Sequence, residues 1–169
     1  METMTSRERF ARMYAHKEAD RVPITDIPWQ GTISRWRREG MPAHADWREY
    51  FGVDKVEGIS VDISPRYPCT VVEDNARYQI VTSPWGVTMK QFKEEDSTPE
   101  FLDFKVCTPE AWEEAKARMA YSPDRIPWDY LRDAYPRWKA EGSWIQAGFW
   151  FGFDVTHSWM AGTETLLIA

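Results

Sequence analysis

The chain has 169 residues, is 43% hydrophobic and 15% aromatic, and carries a formal net charge of −6. That apolar content excludes a disordered chain and leads us to expect one globular domain with a real core. The acidic balance argues against nucleic acid, whose phosphates call for clustered Lys and Arg; no run of 18 apolar residues marks a membrane span, and the charged start "METMTSRERF" has no apolar signal core.

A soluble cytoplasmic protein is therefore expected. Cys69 and Cys107 lack the closely spaced second Cys or His of zinc and redox motifs, and read as packing or half-exposed residues. "TSRERFARMYAHKE" predicts a helix, with Thr5 and Glu8 three residues apart as a capping box and Phe10, Met13 and Tyr14 on one face. "DRVPITDIPW" predicts a first strand through Val22 and Ile24. "TISRWRREG" and "ADWREYFGVD" predict short helices closed by Gly40 and Gly52. In the first of these Trp36 is expected to turn inward and the arginines to face water. "KVEGISVDIS" predicts a second strand.

Between Thr70 and Phe104 the apolar period becomes two, in the runs "TVVE", "RYQIVT" and "VTMKQF" separated by turns, which predicts an antiparallel meander with "KEEDSTPE" as a charged tail leading out. "CTPEAWEEAKARM" carries Thr108 as N-cap and Pro109 at the first helical position. "IPWDYLRDAYPRWKAEG" is helical with Leu131, Tyr135 and Trp138 on one stripe, and Pro136 is expected to kink or restart it. "SWIQAGFW" predicts a third strand and "DVTHSWMAGTETLLIA" a final helix capped by Asp154 or Thr156.

Apart from the meander, strand and helix alternate three times, the grammar of a parallel sheet built from βαβ units. The expected fold is α/β: about three βα units of a partial (β/α)8 barrel, a single domain over residues 1–169 with an antiparallel insertion at 70–104. Three parallel strands would leave apolar edges unpaired, and the last helix has no stop signal after Leu167, so the chain reads as the first part of a larger barrel. On that reading it is inactive alone and needs a C-terminal barrel half or a homodimer partner.

Several stretches resemble the N-terminal part of the uroporphyrinogen decarboxylase superfamily. They are "MTSRERFARMYAHKEADRVPI", the Asp of "SVDISP", "SPWGVTMKQFKEEDSTPEFLDFKVCTPEAW" and "AGFWFGFDVTHSWMAGTETLL". The resemblance implies a (β/α)8 barrel enzyme that either decarboxylates a carboxylate substrate or, in the cobalamin-dependent branch, moves methyl groups with a corrinoid protein as partner. The zinc of that branch is held by residues of the later barrel half, so no metal ligand is expected here. The decarboxylase follows its first strand with an Arg-rich loop that clamps a polycarboxylate; here Pro28 and Thr32 stand at about those places and only Arg35 remains, which argues against a tetrapyrrole substrate. The expected function is accordingly corrinoid-dependent methyl transfer or demethylation, with decarboxylation of a smaller carboxylate as the alternative, and a non-catalytic binding module as the alternative of another class.

Asp62 matches the family's Asp after the second strand, and the resemblance implies that it stabilises developing positive charge. Asp26, Asp154 and His157 also follow predicted strands, where barrel active sites lie. Trp29, Trp150 and Phe151 fall in the same loops and would form aromatic walls for a planar or methylated substrate, with Arg35 and Asp154 as polar contacts. Each has a plainer reading: Asp62 and Asp26 as turn carboxylates, His157 as a hydrogen-bonded helix-start side chain. His16 and His44 read as surface residues, and Trp112, Trp128, Trp138 and Trp159 as core.

Overall fold

A computed structural model describes residues 3–94 and 97–168. In chain order its elements are α1 (Ser6–Tyr14), α2 (Gln30–Arg38), α3 (Trp47–Phe51), β1 (Val56–Ser60), β2 (Val71–Asp74), β3 (Tyr78–Thr82), β4 (Val87–Phe92), β5 (Glu100–Phe104), α4 (Pro109–Arg118), α5 (Trp128–Ala140), β6 (Trp144–Gly148) and α6 (Gly162–Ile168). They fall into two compact units, Met1–Ser60 with Ile126–Gly148, and Val61–Arg125 with Phe149–Ala169.

In the first unit β1 and β6 pair in parallel, Val56 opposite Trp144 and Ser60 opposite Gly148. Among the described residues these two strands make up the parallel sheet and the antiparallel sheet is separate, so the partial (β/α)8 barrel is not what this sequence forms. The missing strand is the stretch around Val22 and Ile24, which is irregular and exposed, with Val22 77% and Ile24 48% accessible. A strand needs a partner ladder. Pro23 has no N–H to offer, and the Ile24 amide donates instead to the Asp54 carboxylate at 2.9 Å while the Ile24 carbonyl accepts the Asp54 N–H at 2.9 Å.

Local signals are realised as expected in α1, whose Thr5 hydroxyl accepts the Glu8 N–H at 3.2 Å while Glu8 accepts the Thr5 N–H at 2.9 Å. Gly52 ends α3 at φ 65°, a left-handed cap that glycine adopts without strain. Phe10 and Tyr14 stack on Trp144 at 5.2 and 5.4 Å, and Phe10, Met41, Ala134 and Trp138 are buried. Trp36 packs on Phe51 at 4.7 Å while Arg35, Arg37 and Arg38 stay exposed. A single helix, α5, continues through Pro136 without a restart.

A charged cluster runs beneath this unit. Arg9, 3% exposed, donates Nε to Asp20 Oδ1 and Nη2 to Asp20 Oδ2, both at 2.7 Å, and Nη1 to Asp54. Asp54 also takes Arg21 at 2.7 Å and the Ser6 hydroxyl at 3.0 Å. Burial opposes charge on Asp54, but the Ile24 amide, Arg21, Ser6 and Arg9 outweigh it and hold its pKa below the ordinary carboxylate range.

The second unit contains the meander in the order β2-β3-β4-β5. The expected charged tail, residues 93–100, has Glu95 and Asp96 outside the described residues, and it leads into a fourth strand that the sequence pattern does not announce: Met89 pairs with Phe101 and Lys90 with Glu100, with Glu100 and Asp103 exposed and Phe101 and Phe104 half-buried. Tyr67, Val106, Ala115, Val155, Met160 and Ala161 form the core, with Trp85 and Met119 against it. The expected last helix is two pieces, a π-helical turn at Val155–Met160 and then α6, divided at Gly162 with φ 76°. A Cβ at Gly162 would stand 3.0 Å from the Phe104 ring, which reserves the position for glycine. Asp154 makes no capping hydrogen bond. Of the four tryptophans read as core only Trp138 is buried; Trp112, Trp128 and Trp159 are 44%, 54% and 36% accessible, because helical spacing identifies a stripe but not what covers it. Among the described residues no helix is long and apolar enough to cross a membrane.

Candidate functional site

The densest polar arrangement in the second unit is built on Asp62, two residues beyond β1. Asp62 Oδ1 accepts the Ser64 N–H at 3.0 Å and the Ser64 hydroxyl at 2.7 Å, an Asx turn of the kind its plainer reading predicts. Its other oxygen accepts Arg66 Nε at 2.5 Å, and Arg125 Nη1 stands 3.9 Å away. Arg66, at φ 55°, has left-handed backbone that a non-glycine residue adopts at a cost. Its guanidinium bridges Asp62 and Asp124.

Arg125 explains why the arrangement is rigid. Buried and 7% exposed, it donates to the carbonyls of Ala120 at 3.1 Å, Asp62 at 2.9 Å and Ser64 at 2.9 Å, and to that of Arg118. A guanidinium has five fixed donors, so one side chain ties the 62–64 turn to the end of α4. Burial pushes the Asp62 pKa up, yet the hydrogen bonds from Arg66 and Ser64 outweigh it and the net shift is downward. Asp62 is thus held ionised while 39% of its side chain remains accessible. Such a group can accept hydrogen bonds and stabilise positive charge; it is poorly suited to donating a proton near neutrality.

The other predicted site residues are not gathered around it. Asp62's polar partners are Ser64, Arg66 and Arg125, and among the described residues neither Asp154 nor His157 is one of them. Asp26 is exposed and accepts its neighbour Ile27's N–H at 2.8 Å, the local turn contact. Arg35 is exposed and paired with Glu39 at 2.7 Å. Trp29, 58% accessible, precedes α2 without a capping bond. Trp150 and Phe151 are 67% and 77% accessible in a run that also exposes Phe149 and Phe153.

His157 stacks on Phe153 at 4.4 Å, and its Nδ1 lies 2.9 Å from the Phe153 carbonyl oxygen, which requires the ring nitrogen to be the donor. Ser158 Oγ is 2.7 Å from Nε2 but also 3.3 Å from Nδ1. An in-line bond to the Nε2 lone pair would carry the hydroxyl far beyond reach of Nδ1, so this hydroxyl lies across the ring and the two residues are not a nucleophile and base. His16 and His44 are exposed, and both cysteines are free and exposed.

Among the described residues no three His, Cys, Asp or Glu side chains are close enough to hold a metal. The residues that do organise the site, Arg66, Asp124 and Arg125, had one sequence signal between them: the Asp-x-Ser turn of "DISPR", which fixes where Arg66 begins. Comparison with protein-family models, curated proteins and solved structures finds no match to this chain.

Proposed function

We propose that this chain belongs to an enzyme that moves a methyl group from a thiol or methoxylated compound to a corrinoid carried by a partner protein, with Asp62 as the electrostatic anchor of the substrate. The observation that carries the reading is a carboxylate kept ionised and accessible directly after a parallel strand, in the stretch that resembles the uroporphyrinogen decarboxylase superfamily. A fixed anion anchors a substrate through a hydrogen-bond donor or a positive group that the substrate carries, and prior orientation by Ser64 and Arg66 spares the cost of orienting it at binding. No step is assigned to a metal.

Decarboxylation of a small carboxylate is the second reading, favoured by the guanidinium of Arg66 beside Asp62. A tetrapyrrole with many carboxylates is disfavoured, since Pro28 and Thr32 bring no charge and Arg35 is already paired. The test is to incubate the full-length protein with a corrinoid protein and methoxylated aromatic substrates, following methylcobalamin absorbance, and in parallel to measure CO2 release from small carboxylic acids. Corrinoid methylation that Asp62→Asn lowers at least tenfold is expected. CO2 release alone would shift the assignment to decarboxylation, and neither signal would overturn both.

A further inference from the structure

The unit formed by Met1–Ser60 and Ile126–Gly148 carries two depressions that share one side chain. The smaller, about 290 Å³, is lined by Arg7, Tyr135, Lys139, Ser143, Trp144 and Ile145. The larger, about 410 Å³, is lined by Ile59, Trp128, Leu131, Arg132 and Tyr135. Tyr135 stands in both walls. Two cations and a hydroxyl lie at one end, and aromatic and aliphatic surface runs along most of the other.

The polar end has features the packing of the unit does not use. Among the described residues Arg7 and Lys139 form no ion pair, whereas Arg9, Arg21 and Arg35 are each matched to a carboxylate. Lys139 leans on the Tyr135 ring at 5.5 Å. The Arg7 N–H donates to the Gly142 carbonyl at 2.9 Å, which fixes the first turn of α1 against the turn that carries Ser143. Ser143 is fully buried, and its hydroxyl is one of two buried side-chain polar atoms among the described residues without a hydrogen-bond partner. Buried hydroxyls are rarely left so, because the desolvation is not repaid. The Ser143 hydroxyl is wholly inaccessible and backs the wall without reaching a ligand, while Arg7 and Lys139 set two unpaired cations on one depression, an arrangement that favours a bound oxyanion.

We infer that this face binds a small aromatic carboxylate. Its oxygens are held by the Arg7 guanidinium and the Lys139 ammonium, and its ring lies along Tyr135 toward Trp128 and Leu131. A guanidinium matches a carboxylate with two parallel N–H bonds, and the ring faces supply apolar and cation–π surface for the rest. The combined depressions fall in the size range of small-molecule sites. Asp62, Arg66 and Asp124 line neither of them, so this site stands or falls separately from the methyl-transfer reading.

Titration of the 169-residue protein with benzoate at low salt, followed by calorimetry and by tryptophan fluorescence, tests the inference. Saturable binding is expected, weakened about tenfold by Arg7→Gln and by Lys139→Gln, as loss of one charge-assisted hydrogen bond implies. Both side chains are exposed, so the variants keep the fold, which circular dichroism checks. Failure to saturate at about 10 mM benzoate, unaltered affinity in the Arg7/Lys139 double variant, or acetate binding as tightly as benzoate would each overturn it.

Discussion

Replacing Asp54 by alanine removes the carboxylate on which three stretches of chain converge. The side chain is wholly inaccessible and accepts the Ile24 N–H at 2.9 Å, the Ser6 hydroxyl at 3.0 Å and Arg21 at 2.7 Å, besides Arg9. All four bonds end on an ionised carboxylate and are worth about 1.5–3 kcal/mol each. The full sum is not lost, because Arg21 is 37% accessible and can be rehydrated, and Arg9 keeps both bonds to Asp20. What remains is an Arg9 guanidinium, 4% accessible, with half its countercharge gone, and breaking a buried pair in this way costs about 3–5 kcal/mol. Against a typical total of about 5–15 kcal/mol that is a large fraction. At roughly 2–4 °C per kcal/mol for a chain of this size, the midpoint should fall by about 6–20 °C. Thermal and urea unfolding followed by far-ultraviolet circular dichroism measures it, with Asp129→Ala as control, since that carboxylate is 96% accessible and paired only to Arg132. An Asp54→Ala protein within about 1 kcal/mol of the parent would refute the reasoning, because a change that small is ordinary for an exposed side chain.

The same cluster sets an acid limb. Hydrogen bonds from Arg9 and from the Met4 amide depress the Asp20 pKa strongly, and Asp54 is also shifted down, so the unfolded chain binds more protons than the folded one in acid and stability falls as pH drops. Urea midpoints should be level from neutrality to about pH 5 and decline below about pH 4, where unfolded carboxylates begin to protonate; an undiminished midpoint at pH 3 would contradict this. Gly142→Ala should destabilise by about 1–3 kcal/mol, since φ is +70° and the new Cβ would meet Thr5 Cβ at 2.8 Å, whereas Gly148→Ala, with nothing within 4 Å, should lie within about 1 kcal/mol of the parent. Equal effects in urea titrations would argue against both readings. Trp138→Ala, at a 3% exposed position, should cost about 3–5 kcal/mol and Trp112→Ala less than about 1 kcal/mol; the reverse order of denaturation midpoints would sink the assignment of core.

What the sequence made legible is what depends on neighbours a few residues apart. The Thr5–Glu8 capping box, Thr108 before Pro109, and the glycine ending α3 are local bargains between a side chain and the nearest free amides, and each stands where its spacing put it. The parallel pairing of β1 with β6 was also foreshadowed, since a strand, a helix and a strand in that order favour it. Distant partners are another matter. β5 follows the charged tail without a pattern that announces it until β4 lies beside it, and the break between the π-helical turn at Val155–Met160 and α6 falls at Gly162, where a Cβ would stand 3.0 Å from the Phe104 ring. Arg66, Arg125 and Asp124 carry no spacing relative to Asp62 that announces a site, because the separation of 58 positions from Arg66 to Asp124 is closed by the fold.

The absent strand at Val22 and the buried Arg9 have one cause. Alternating apolar residues state a preference for extended backbone, but a strand exists only when another backbone completes its ladder. Here a single residue takes that place: Asp54 closes both polar groups of Ile24, one through its carboxylate and one through its own amide, so the segment is held in place with no strand beside it. A carboxylate used this way must be buried, and it stays ionised there only if cations accompany it, which is why Arg9 leaves the solvent face of α1 and Arg21 reaches back. Apolar residues of equal volume could fill the same space at less electrostatic cost, but they would set no register between α1, the 20–24 segment and the entry to β1. The charges set that register, and "SRERF…ADRVPI…VDK" is therefore one folding instruction written in three places, readable only once Asp54 is seen to join them.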